Sequence, residues 1–316
     1  MISEKILGKF LPINEEERQI LEGKPEIVRM FFKDKYLIDT KLMIQEGKLI
    51  AIRTNHRFID FPPHVHDYIE VVYMCSGEMT HIVNGNPVKL KAGELLFLST
   101  DAIHEIKRAE MNDIAVNFMI LPQFFDKALD MLGEEETPLK RFIIGSLGSG
   151  SMGADYLHFK VADILPIQNL IENLIYTLVS DTPSKRNIDR ITMGLLILQL
   201  INHTDRLSLE DESDSLLVEV FRFIEENYAT GELGTLAADM HFDIYWLSRE
   251  IKRKTGKTYT ELLQEKRLSQ ATFLLKNTKM NVSDISYAVG YENISYFHKI
   301  FSKTFGMSPK KYRDCK

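Results

Sequence analysis

Two groups of residues in this sequence have types and spacings that can do chemistry. The first is His64, His66 and Glu70, with His104 further along the chain. Side chains alternate along an extended segment, so His64 and His66 share one face and Glu70 lies on the same face further on. Imidazoles plus a carboxylate can hold a divalent transition metal with open positions. The same groups can instead bond a polar ligand or fix neighbouring strands. The second group is Tyr245, Ser248, Arg249 and Lys252, answered later by Ile294, Ser295, His298 and Lys299. An arginine fork can bond O6 and N7 of a guanine together, and lysines meet phosphates.

The second group sits in an internal repeat. Gly256 and Gly306 match at an offset of 50, as do Leu247 with Phe297 and Ile251 with Phe301. Each copy reads as a short helix, a tight turn and a second helix. Asp243 is placed to cap the second helix of the first copy, and Gly256 to end it. In the second copy Asn281 and Asp284 suggest a capping box on the first helix, and Gly290 supplies the turn. Its second helix is expected to begin near Glu292 and to end before Gly306. Ser308 and Pro309 then restart a helix. This is the grammar of a helix-turn-helix, whose second helix enters the major groove.

Helical phase sorts the side chains. Leu247 and Ile251 point inward in the first copy, and Phe297, Ile300 and Phe301 in the second. That leaves Tyr245, Ser248, Arg249 and Lys252, then Ile294, Ser295, His298 and Lys299, as candidate DNA contacts. Between the copies Leu262, Leu263, Leu268, Ala271, Leu274 and Leu275 follow a helical period. A helix of that length spans about 27 Å at about 1.5 Å per residue. It could hold two recognition helices about one DNA turn, roughly 34 Å, apart.

Upstream the pattern differs. From about residue 38 to 120, short β-branched and aromatic runs such as Tyr68–Met74 and Thr80–Val83 are bounded by turns. Asn84 and Gly85 mark a hairpin with two positive φ angles. Helical periods follow over Phe124–Leu132, Leu165–Val179 and Ile188–Ile201. The last two stripes are too wide to be buried on one side only, which suggests a second subunit. The polar, acidic stretch Thr204–Ser215 reads as a linker.

Composition agrees with a folded, soluble chain. Net charge is -6, yet residues 216–316 carry 16 Lys plus Arg against 12 Asp plus Glu, or +4. The remainder carries 23 against 33, or -10, so basic charge is concentrated where the repeat lies. Cys75 and Cys315 lie far apart and suggest no structural disulfide. No signal-peptide pattern or apolar span is seen, which makes a cytoplasmic protein the expectation.

The repeat resembles the AraC/XylS family of transcription regulators. The residues that carry the resemblance are Leu247, Ser248, Arg249, Gly256, Arg267, Leu268, Ala271, Leu274, Leu275, Ile285, Val289, Gly290, Tyr291, Ser295, Tyr296, Phe297, Phe301, Gly306, Ser308, Pro309, Tyr312 and Arg313. Ile251, Ser286 and Tyr291 depart from the usual Phe, Ala and Phe without loss of character. The resemblance places base-contacting sites on Tyr245, Ser248, Arg249, Ile294, Ser295, His298 and Lys299. The β-half resembles the cupin-type effector domain of such regulators, through Pro63, His64, His66, Glu70, Gly77, Gly93 and His104. In cupin enzymes the spacing of His64, His66 and Glu70 supplies metal ligands. Here Leu96 stands where a further His is usual after the glycine, and His104 comes later, expected near the barrel mouth.

The expected fold is therefore α+β in two domains. Residues 1–160 form a cupin-like β-barrel with an N-terminal arm, and 161–203 dimerisation helices. A linker covers 204–215, and 216–316 form an all-α DNA-binding domain. Its helix-turn-helix units lie at about 233–256 and 282–306, joined by a long helix. The expected function is sequence-specific regulation of transcription, controlled by a small-molecule effector that the resemblance suggests is a sugar or related metabolite. His64, His66, Glu70 and His104 are expected to contact it. No cofactor, no catalysis and no metal are expected; were a metal bound, its ligands would be His64, His66 and Glu70. The expected partners are promoter or operator DNA, RNA polymerase and a second copy through helices near 165–201. The alternatives are a metal-dependent cupin enzyme with a helical assembly domain, and a DNA-binding activator controlled by a protein partner.

Overall fold

The computed structural model describes residues 2–24, 30–33, 36–38, 40–100, 102–121, 123–124, 145, 155–180, 185–208 and 212–314. The chain divides between Asp211 and Glu212 into two compact units. The expected helix over Phe124–Leu132 lies outside the described residues apart from Phe124, as does Cys315.

The first unit is built on strands β1 (Ile50–Thr54), β2 (Phe61–His64), β3 (Ile69–Ser76), β4 (Glu78–Val83), β5 (Asn86–Lys91), β6 (Leu95–Leu98), β7 (His104–Ile106), β8 (Ile114–Ile120), β9 (Tyr156–Phe159) and β10 (Leu207–Ser208). They form two antiparallel sheets, β1-β8-β3-β6-β9-β10 and β2-β7-β4-β5. The closed barrel expected from the sequence is therefore corrected: the described strands hydrogen-bond as two separate sheets. Short alternating strands suit a sandwich as well as a barrel, because the period records which face is buried and not how the edges meet. Asn84 and Gly85 turn the β4–β5 hairpin with φ of 49° and 86°.

The inner faces of the two sheets share one core. Val72 and Met74 of β3, Leu96 and Leu98 of β6 and Ala115 and Met119 of β8 meet Met79, Val83, Val88, Leu90 and Ile106 of the other sheet. The outer face of the larger sheet is also buried, at Ile69, Val71, Tyr73, Phe97, Val116 and Phe118. Helix α4 (Leu165–Val179) packs beside it and buries Ile167, Ile171, Leu174 and Ile175. Gln168 ties the helix down: it accepts a hydrogen bond from the Tyr73 hydroxyl at 2.7 Å and donates to the Gly93 and Val161 carbonyls, each at 2.9 Å. Helix α5 (Lys185–Asn202) packs on α4 and buries Met193, Leu196, Ile197 and Leu200. Leu165, Tyr176, Ile188, Ile191 and Leu195 stay exposed on these two helices.

The N-terminal arm is helical, as α1 (Glu4–Phe10) and α2 (Glu15–Leu21), before a short α3 (Thr40–Met43). Asn14 and Glu17 form a capping box on α2. The Glu17 carboxylate also takes two hydrogen bonds of 2.7 Å from Arg57, with both side chains almost fully buried. The arm is thereby fastened to the β-structure by a desolvated ion pair.

The polar stretch expected as a linker is ordered at both ends. Thr204–Arg206 forms a 3-10 turn, and β10 pairs with β9. Helix α6 (Glu212–Asn227) starts the second unit. A short edge strand needs backbone partners only, so it leaves no apolar period to detect.

The second unit is helical: α6, α7 (Leu233–Asp239), α8 (Ile244–Thr255), α9 (Tyr259–Asn277), α10 (Val282–Ala288), α11 (Ile294–Phe305) and α12 (Pro309–Asp314). Leu268, Ala271 and Leu275 of α9 pack with Ile285 and Val289 of α10 and with Phe297, Ile300 and Phe301 of α11. Thr258 and Glu261 close a capping box at the start of α9. Arg267 donates to the Tyr228 and Ala229 carbonyls at 2.6 and 3.0 Å, past the end of α6. Arg313 does the same for Leu275 and Met280, at 3.2 and 2.6 Å. Two arginines thus satisfy carbonyls that helix ends leave without partners.

Candidate nucleic-acid interface and buried polar cavity

Helices α8 and α11 are each the second member of a helix pair. Asp243 caps α8 by accepting from the Trp246 backbone N–H at 2.9 Å, and Gly256 ends it at φ 70°. Asn293 caps α11 by accepting from Tyr296 N–H at 3.0 Å, and Gly306 ends it, again at φ 70°. The repeat therefore has the same start and stop chemistry twice. Asn281 stands at the N-cap of α10, but its side chain makes no capping bond, so the capping box expected with Asp284 is not formed. The start of α11 also falls at Ile294, two residues after Glu292, because the Asn293 side chain takes the cap.

Gly290 is required at the α10–α11 turn. Its φ is 86°, and a Cβ there would sit 2.2 Å from the Ala229 carbonyl oxygen. The turn is pressed against the residues that follow α6.

Packing fixes which faces remain. Leu247 and Ile251 are fully buried on α8, as are Phe297 and Phe301 on α11. Tyr245, Arg249 and Lys252 are exposed and Ser248 is half-buried. On α11 Ser295 and Lys299 are exposed, with Ile294 and His298 half-buried. Each helix thus gathers its four candidate residues away from its core stripe. Two exposed aromatics not among the candidate contacts stand on the same helices: Trp246, whose ring lies 4.7 Å from that of Phe242, and Tyr296. Their signal was available, since each falls out of phase with the buried stripe.

The first group of chemical residues converges between the two sheets. His64 on β2 is the register partner of His104 on β7, and their ring centroids lie 4.0 Å apart. Glu70 reaches the same point from β3 of the larger sheet. Its Oε2 is 3.3 Å from Nε2 of His66 and 3.3 Å from Nε2 of His104. His104 is therefore beside Glu70 and fully buried, not at the rim expected from its late place in the sequence. The reason is strand pairing: β7 returns alongside β2, which brings residues forty apart into one register.

The surroundings orient each group. Nδ1 of His64 faces the Pro62 carbonyl at 2.9 Å and Nδ1 of His66 faces the Tyr68 carbonyl at 2.6 Å. Asn117 donates to both Glu70 and Asn55. His81 on β4 stacks on His104 with centroids 5.9 Å apart. Burial, with the neighbouring His104, holds His64 well below its ordinary value. Burial also brings His81 and His104 down to about 4. It pushes the Glu70 carboxyl up, but His104 and His66 outweigh it and hold Glu70 well below the usual carboxylate range. At neutral pH, then, His64, His81 and His104 are neutral and Glu70 is ionised.

This cluster forms one wall of a narrow cavity. His64, Glu70 and Asn117 line it together with Arg53, Asn55, His56, Phe61 and Tyr68. Arg53, Asn55 and Asn117 escaped the sequence reading, because isolated polar residues in a strand look solvent-facing until the partner sheet is known. Arg53 and His56 both hold Glu16 of α2, at 2.6 and 2.8 Å, so the arm reaches the cavity edge.

Comparison with known proteins divides the chain the same way. Residues 46–147 match the AraC-like ligand binding domain, and residues 236–314 match a helix-turn-helix domain. The HTH-type transcriptional activator RhaR of Shigella flexneri is 23% identical over 286 residues, covering 88% of this chain and 95% of its own. RhaR of Escherichia coli K12 is 23% identical over 284 residues with the same coverage. Fatty-acid-bound ToxT from Vibrio cholerae aligns over 84% of this chain and 94% of its own, at 15% identity and a TM-score of 0.33.

Proposed function

Since the chain belongs to the AraC-type helix-turn-helix transcription regulators, we propose that α8 and α11 read bases in successive major grooves of one operator half-site. Tyr245, Ser248 and Arg249 on α8, and Ile294, Ser295 and His298 on α11, are the base-facing residues of this reading. Lys299 joins the base-facing residues of α11, and Lys252 meets a phosphate. The observation that carries it is the twice-repeated capped helix with its apolar stripe buried and these side chains turned outward. Helix α9 separates the copies. Its 19 residues span about 28 Å at about 1.5 Å each.

The effector is a small polar molecule, of the sugar or related metabolite class, held in the cavity lined by Arg53, Asn55, His64, Glu70 and Asn117. Its effect on DNA binding requires unequal affinity for two arrangements of the protein. The protein works in the cytoplasm as a homodimer, through the apolar positions exposed on α4 and α5, and engages RNA polymerase as an activator. The relatives named above as activators support that direction.

Selection of random genomic fragments by the full-length protein, followed by sequencing, tests the reading. A motif with two blocks about one helical turn apart, present in two copies, is the expected result. Retention of no sequence by the full chain, and none by residues 212–316 alone, would overturn it.

A further inference from the structure

The outer face of the larger sheet is not covered evenly. Among the described strands β1 is its edge and pairs only with β8. Ile50 and Ile52 of β1 stand opposite Ile120 and Phe118 of β8. Directly opposed residues of an antiparallel pair project to one face, and Phe118 belongs to the outer one. Ile50 and Ile52 therefore face away from the core between the sheets. Helix α4 is tied down over β3 by Gln168, and at the β1 edge the two helices leave a cavity of about 560 Å3. Its wall is apolar, made of Ile50, Ile52, Phe124 and Leu178 with Met43 and Leu49. A volume of this order and an apolar lining with few polar groups are the usual properties of a small-molecule site.

The charged groups of the lining are unbalanced. Lys48 and Arg186 both line the cavity and both are exposed. Neither makes an ion pair among the described residues. The Arg186 guanidinium donates to the Gly47 carbonyl at 3.1 Å. The acidic lining residue, Asp189, is buried and accepts from the Thr177 hydroxyl at 2.5 Å, which holds α5 to α4. The accessible charge of the lining is therefore positive and stands beside an apolar wall. We propose that this cavity is a second ligand site of the β-rich unit and takes a hydrophobic monocarboxylate. The apolar body lies against Ile50, Ile52, Phe124 and Leu178, and the carboxylate meets Arg186 and Lys48. A guanidinium matches a carboxylate in geometry as well as charge, and the lysine adds a point charge. A polyol would strand its hydroxyls on the apolar wall, and a dianion would find no third cation in the described lining. The site lies across the sheet from the His64–Glu70 cluster, and Met43 alone of the described lining residues borders both cavities. Its occupant touches β1, α4 and α5 together and so braces the helix pair against the sheet edge.

This site is independent of the effector reading, and its test is separate. Full-length protein is titrated calorimetrically with decanoate below its micelle concentration, and with decanol as the neutral twin. Saturable decanoate binding at about one per chain is expected. The double variant Lys48→Gln, Arg186→Gln removes both charges, while the new amide at 186 can still donate to the Gly47 carbonyl. It is expected to bind decanoate about 10–100-fold more weakly, the range for losing a hydrogen bond to a charged group. Decanol should bind wild type and the variant alike. A decanoate carrying a photoreactive diazirine then maps the site on wild type, which needs no variant to fold. Labelled peptides should come from residues 45–52 and 178–189. The proposal is overturned if wild type takes up no decanoate, if the double variant binds it as tightly as wild type, or if labelling falls elsewhere. Labelling confined to residues 53–70 would place the carboxylate in the inner cavity and so overturn it too. Sequence-specific DNA binding is read in parallel, and its loss or survival bears on the proposed function alone.

Discussion

The two units of this protein put their chemistry on opposite sides of their surfaces. In the β-rich unit His64, His66, Glu70 and His104 are buried between sheets, and even the arm is fastened by the buried Glu17–Arg57 pair. In the helical unit Tyr245, Arg249, Ser295 and Lys299 stand outside a core of leucine, isoleucine and phenylalanine. The lesson is that binding and folding are coupled in the first unit and separable in the second. A polar side chain removed from the sandwich strips a partner from groups that have no water to turn to. A polar side chain removed from α8 or α11 is replaced by solvent.

Substitutions can break this contrast, and the largest effect belongs to the buried ion pair. Arg57→Ala leaves Glu17 charged and unpaired, with a destabilisation of about 3–5 kcal/mol expected in chemical denaturation of the full chain. The pair also gives a pH dependence. Burial pushes the Glu17 carboxyl up, but hydrogen bonds from Arg57 and the Asn14 backbone outweigh it and leave the group below its ordinary 4.5. A depressed carboxyl contributes stability above its unfolded value and loses it as pH falls. The unfolding midpoint should therefore drop as pH is lowered through and below 4.5, and less so in Glu17→Gln. A midpoint that is flat in acid, or equally steep in Glu17→Gln, would show that the pair is not what fastens the arm.

Phe297→Ala is the matching core lesion in the helical unit. It empties a fully buried site and should cost about 3–5 kcal/mol, with DNA binding lost through unfolding. Arg249→Ala sharpens the contrast from the other side. It should leave stability within about 0.5 kcal/mol of wild type, yet weaken binding to the selected operator by about 1–3 kcal/mol and relax one base position. Equal weakening on all sequences would make Arg249 a phosphate contact instead. The smallest effect lies between the two classes. Asp243→Ala removes the cap of α8 and should cost about 1 kcal/mol of stability, with only a secondary loss of affinity because the reading face is unchanged.

The helical unit was the more legible of the two in the sequence. Its information is local: Asp243, Gly256 and Gly306 act on the residues next to them, and a stripe at helical spacing says which face is inside. The lapses were local too: α11 starts two residues after the expected Glu292 because Asn293 caps it, and Asn281 makes no cap. In the β-rich unit the strands and the Asn84–Gly85 hairpin could be read, for the same reason. Their assembly into two sheets could not, nor could the pairing of β10 with β9 across some fifty residues of chain.

What the sequence determined by itself was therefore the helix-turn-helix repeat, its core stripes and outward faces, and the list of residues able to do chemistry near Glu70. Only the tertiary structure decided that His104 stands opposite His64, that Arg53, Asn55 and Asn117 face a cavity, and that Gly290 yields to the Ala229 carbonyl. The physical reason is range. Caps, turns and helical phase are set within a few residues, whereas strand register and sheet packing are chosen by contacts between segments that the sequence keeps far apart.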